Sequence, residues 1–241
     1  MKNVMMNGPM NALRISLSNF FIMPAAGVLN GNCSNLTFRM KHPSKLTLSD
    51  EELQLVNNTG WILTKHDIIR RVYEMFGGLS EKYKTAVEKE PLPLILVQSS
   101  PKISKGENYK QLPYVILDHP RSFEAENIFA IRSMFWWGNF FSITLQLSGE
   151  YKKMFEKNLV ANFELLKQNN FYLCVNEDPW QHHFEEDNYL AAAKFSAEEF
   201  ERTVSQKQFV KLAVKFPLNY WSEIPELLAE KFFTIMQLLK S

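Results

Sequence analysis

The spacing of apolar and polar positions changes several times along the chain, and each change predicts an element. Residues 1–45 carry little periodicity and many Asn, Gly, Pro and Ser, so they read as an irregular arm ahead of a single domain over 46–241. Ser49 before Asp50-Glu51-Glu52 is an N-cap with acids in the first turn, where the helix dipole favours negative charge, and it predicts a helix to about Asn57. After Thr64, the residues Ile68, Ile69, Val72, Tyr73 and Phe76 recur at helical spacing, and Gly77-Gly78 supplies a C-cap. Ser80 opens a further helix ending near Glu90. The apolar run Leu92 to Val97, flanked by prolines, suits an edge strand. Residues 99–110 are polar and aperiodic, which predicts a surface loop and the place where the domain would divide if it divides at all.

In the second half, Tyr114 to Leu117 reads as a buried strand. Glu124 to Trp137 reads as a helix with Ile128, Ile131 and Phe135 on one stripe, ended by Gly138. Phe141, Ile143, Leu145 and Leu147 alternate with Ser142, Thr144 and Gln146, the period of a strand with one face buried. A helix over about 150–169 turns Tyr151, Phe155, Leu159, Phe163 and Leu166 inward. Phe171 to Val175 follows as a strand, and residues 180–193 as a turn and partial helix. Ser196 and Glu199 form a capping box. In the strand Phe209 to Phe216, Val210, Leu212, Val214 and Phe216 share one face while Lys211 and Lys215 face water; a last helix spans about 222–239. Clean alternation favours antiparallel pairing, so the expected fold is α+β, a mainly antiparallel sheet with helices packed on one face.

Composition narrows the function classes. With 46% hydrophobic residues in 241, the chain builds a sizeable core, and 27 Lys and Arg against 26 Asp and Glu leave no net field to attract a polyphosphate backbone, which argues against nucleic acid. No apolar run approaches the roughly 18–20 residues of a membrane span. The stretch Phe20 to Leu29 is apolar like a leader, but Asn, Gly and Pro interrupt the residues before it, and it reads as part of the mature protein. Cys33 and Cys174 lie far apart and outside any C-x-x-C pair; two buried free thiols in a reducing compartment, hence a soluble cytoplasmic protein, is the expectation.

Three segments carry candidate chemistry. The loop from Glu177 to Asp187 concentrates His182 and His183 among carboxylates, a donor set for a divalent metal, with His183 and Asp187 four residues apart; a solvated polar loop is the plainer reading. Asp118-His119-Pro120-Arg121 follows a strand, with Arg132 one element later, so Asp118 would orient His119 as a base while Arg121 or Arg132 holds an anion; the competing reading is an ordinary turn. Trp136, Trp137 and Phe140 supply aromatic walls, with Ser142, Thr144 and Gln146 as polar contacts from the adjoining strand. These yield two functional expectations. One is a domain binding a small molecule or a protein partner, or a second copy of itself, through the aromatic region; the other is a small metal-dependent enzyme.

Overall fold

A computed structural model describes residues 46–240; the arm over 1–45, with the Phe20–Leu29 stretch and Cys33, lies outside the described residues. From Glu51 onward the chain forms one compact unit. Its elements are α1 (Asp50–Asn57), α2 (Thr59–Val87), α3 (Leu94–Val97), β1 (Lys102–Tyr109), β2 (Leu112–Glu124), β3 (Asn127–Trp136), β4 (Phe140–Ser148), α4 (Gly149–Ala161), α5 (Phe163–Gln168), β5 (Tyr172–Cys174), β6 (Tyr189–Ala191), α6 (Ala197–Gln206), β7 (Phe209–Pro217) and α7 (Ile224–Leu238). The strands form one antiparallel sheet in the order β1-β2-β3-β4-β7-β5-β6. The α+β expectation holds.

One sheet face carries Val115, Leu117, Phe129, Ile131, Phe135, Ile143, Leu145, Leu147, Val210 and Leu212 into a core completed by α2, α4 and α7. The stripe Val72, Phe76, Leu79, Tyr83 and Val87 runs unbroken along α2. Gly77 and Gly78 therefore do not cap a helix. Each glycine costs about 1 kcal/mol inside a helix, whereas each buried large apolar side chain on that stripe contributes about 1.5–3 kcal/mol, so the helix continues. Its first turns leave Trp61 46% exposed, and α1 buries no residue.

Four expected elements change type, the shortest being Tyr189–Ala191, which lies in the segment expected as a turn and partial helix and is strand β6. Leu94–Val97 is a single helical turn that puts Leu96 in the core. Residues 102–109, expected as a loop, are strand β1, which among the described residues is at the sheet edge and paired only to β2. The expected helix over 124–137 is β3, because both its faces are covered: Phe129, Ile131 and Phe135 meet the helices, while Met134 and Trp136 pack on the other side with Ile116 and Phe140. Apolar residues on both faces erase the period-two signal.

The second sheet face is not open to water either. The segment between β5 and β6 lies across it, and Phe184 packs against both the Trp136 cluster and the cluster of Cys174, Tyr189, Phe209 and Ala213. Lys211, expected to face solvent, is fully buried beneath this segment; Lys215, nearer the strand end, is exposed as expected, its Nζ over the Phe184 ring.

Candidate functional site

Strand alternation sends Asp118, Arg132, Thr144 and Ala213 to the loop-covered face in register, with Gln146 opposite Lys211 one row along. Arg132 donates to both carboxylate oxygens of Asp118, from Nε at 2.7 Å and Nη2 at 2.9 Å, in a bidentate buried pair. Its Nη1 lies 3.4 Å from His182 Nε2. A guanidinium can only donate, so His182 Nε2 accepts. Burial, with Lys211 and Arg132 nearby, holds His182 well below the usual histidine range, which keeps it neutral. Lys211 Nζ donates to the carbonyls of Pro179 and Gln181, and burial pushes its ammonium down to about 8. Loop carbonyls thus replace water around a fully buried charge.

Tyr109, on the edge strand, holds the loop's other side. Its phenol oxygen accepts from the backbone N–H of His182 at 2.7 Å and of His183 at 3.1 Å. With both lone pairs taken, its own proton goes to the nearer of two acceptors, His183 Nδ1 at 3.1 Å rather than Gln181 Oε1 at 3.4 Å. His183 Nε2 then carries a hydrogen toward Asp187, at 3.3 Å.

The expected catalytic group separates. Asp118 and Arg132 come together, but Asp118 does not orient His119, because successive strand residues point to opposite faces. His119 is fully buried with neither ring nitrogen bonded, and burial, Arg121 and Lys84 push its pKa down to about 4. Arg121 points elsewhere, donating from Nε to the Ser100 carbonyl. Of the expected metal ligands, His183 and Asp187 meet, while His182 turns to Arg132. Glu185 takes its place: His183, Glu185 and Asp187 offer ligand atoms within 4.8 Å of one another. Glu185 lies within the carboxylates 185–187 expected to supply a ligand beside His182 or His183, while His119, the other ligand considered, is buried away from them.

The expected aromatic wall is divided between the two sheet faces. Trp136 is 4% exposed against Tyr109 and Phe140, at centroid distances of 5.0 and 5.3 Å, whereas Trp137 packs on Phe135 from the helix side. Ser142, Thr144 and Gln146 are all buried under the loop-covered face. Gln146 also lines a cleft of about 690 Å³ at the end of the sheet, where β3 and β7 begin and β4 runs into α4. Its other walls are Glu126 to Ile128, Ser148 to Glu150 with Lys152 and Lys153, Glu177 with Pro179, and Ser205 to Phe209. Gln146 is 5% exposed and its Nε2 has no partner. Apart from the alternation that buries Gln146, the cleft had no sequence signal, since its walls come from segments dozens of residues apart.

Protein-family models, curated proteins and solved structures were each compared with the chain, and none matches it.

Proposed function

We propose that the chain is a ligand-binding domain that holds a small polar molecule in the cleft at the β4–α4 junction. Gln146 carries this reading. A buried amide donor left without an acceptor costs about 1–3 kcal/mol, and a ligand acceptor on the cleft side removes that cost. The cleft volume of about 690 Å³ falls within the roughly 300–1,000 Å³ of small-molecule sites. Ligand binding, first expected along the aromatic segment, moves to the polar end of the same strand, and the aromatic residues pack the fold around it. The free, buried Cys174 supports a reducing, cytoplasmic setting.

The cluster of His183, Glu185 and Asp187 supports a second reading, a divalent-metal centre with one imidazole and two carboxylate donors, as a small metal-dependent enzyme would use. The Tyr109 phenol weighs against it. A metal at Nε2 would require the imidazole proton at Nδ1, facing an oxygen that already accepts two N–H groups.

A thermal-shift panel of small charged and neutral metabolites tests the first reading. At least one compound should raise the melting temperature of the wild type and have no effect on Gln146→Met, which keeps the side chain's length without its amide. A panel with no stabilising compound, or one whose effect survives Gln146→Met, would remove the basis of the proposal.

A further inference from the structure

Resting on the cleft as a ligand site, we infer that its ligand presents an anionic group, a carboxylate or a phosphate, to the first turn of α4 between Lys152 and Lys207.

The start of α4 is built without its usual cap. Ser148 occupies the N-cap position, yet its hydroxyl makes no cap bond. It donates instead to the Glu126 carbonyl and accepts from Ile128 N–H at 3.1 Å. The β2–β3 hairpin supplies one substitute, Asn127 Oδ1, which accepts from Glu150 N–H at 2.9 Å. The fit is close enough to require glycine next door: Gly149 sits at φ +56°, and a Cβ there would lie 2.1 Å from Asn127 Oδ1 and 2.8 Å from the Glu126 carbonyl oxygen. The first turn of a 13-residue helix, with its positive dipole end, thus lines the same cleft as Gln146, whose amide nitrogen is unpartnered.

The charges lining the cleft are even in number and uneven in depth. Lys152 and Lys207 keep their side chains 11% and 12% exposed. Each ammonium donates inward to a backbone carbonyl, of Ser205 at 3.5 Å and of Asn176 at 2.9 Å. Each also pairs with a carboxylate, Glu156 at 2.7 Å and Glu177 at 2.8 Å. Glu177 is 91% exposed. Glu126 and Glu150 are exposed as well, and Glu150 is tied to the exposed Lys153. Two of the three lining cations, Lys152 and Lys207, are therefore inside, while Lys153 and the three carboxylates stand at the rim. An ion pair whose carboxylate stands in solvent, as Glu177 does, contributes about 0–1 kcal/mol, so an anion held by the helix end, the Gln146 amide and both ammonium groups displaces Glu177 from Lys207.

Calorimetric titration of the full chain with inorganic phosphate, and separately with acetate, tests this, each with Lys207→Met and Glu177→Gln. One or both anions should bind, and the stronger identifies the ligand group. Lys207→Met should weaken it about tenfold, the loss of one charge-assisted hydrogen bond. Glu177→Gln, at an exposed position that leaves folding intact, should strengthen it several-fold by freeing Lys207. An affinity unchanged in both variants overturns the inference. So does failure of both anions to bind while neutral panel compounds still depend on Gln146, and in that case the cleft reading stands. If no compound of any charge binds, the cleft reading fails with it.

Discussion

The two faces of the sheet solve burial in opposite ways. Under the helices, apolar side chains interdigitate, and the ionisable group at the β2 bulge, His119, is kept neutral by its burial and by the Arg121 and Lys84 charges, with neither ring nitrogen partnered. Under the β5–β6 loop, charges survive because each is matched: Arg132 by Asp118, Lys211 by two loop carbonyls. Neutralising a buried group and partnering it are alternative ways to avoid a desolvated charge; His119 under the helices is neutralised, while Arg132 and Lys211 under the loop are partnered.

The largest effect separates the two devices directly. Arg132→Met should cost about 3–5 kcal/mol by stranding a buried carboxylate, and adding Asp118→Leu should restore most of it. Leu212→Ala on the helix side should cost about 2–5 kcal/mol through a cavity, with no second change at Asp118 able to rescue it. Urea unfolding of the four variants measures both. If Arg132→Met and the double variant are equally destabilised, pairing is not what sustains the polar face.

The next effect concerns the neutral side. His119 has a folded pKa of about 4, below that of an unfolded histidine. Between about pH 6.5 and pH 4 the unfolded chain therefore binds the extra proton, and stability falls as pH falls through that window, by up to about 3 kcal/mol. His119→Leu should lack this component, seen as the difference between the two variants' unfolding free energies against pH. Parallel curves would mean that His119 is charged or solvated in the folded chain.

The smallest effect touches the helix layer alone. A Cβ at Gly77 or Gly78 meets nothing within 4 Å, and both lie inside α2. Alanine at each should add about 0.5–1 kcal/mol, read as a rise in the denaturation midpoint. A loss at either position would indicate a break in the helix there.

What could be read from the sequence follows the same division. Strand β4 was legible because its two rows differ: Phe141, Ile143, Leu145 and Leu147 against Ser142, Thr144 and Gln146. Strand β3 was not, since Ala130, Met134 and Trp136 are as apolar as the opposite row, and three of its residues also fit a helical stripe. Lys211 reads as solvated until the loop residues Pro179 and Gln181, about thirty positions earlier, are known to lie over it. The candidate site was visible only in part. Gln146, Asp118, Arg132, His183 and Asp187 stood out as residue types, but their sorting into a cleft, an ion pair and a turn depends on strand pairing and loop cover that no local pattern encodes.

The position of β7 has a consequence for biosynthesis. This strand, made of Phe209–Pro217, lies between β4 and β5 and hydrogen-bonds to both. Until it leaves the ribosome, the β1–β4 meander and the β5–β6 hairpin have no backbone ladder joining them. The meander is then left with a growing edge that exposes Leu145 and Leu147, and the loop has no Lys211 to sit on. The sheet therefore closes only after β7 has been synthesised, and a nascent chain stalled before residue 209 should be a substrate for chaperones rather than a partly working domain.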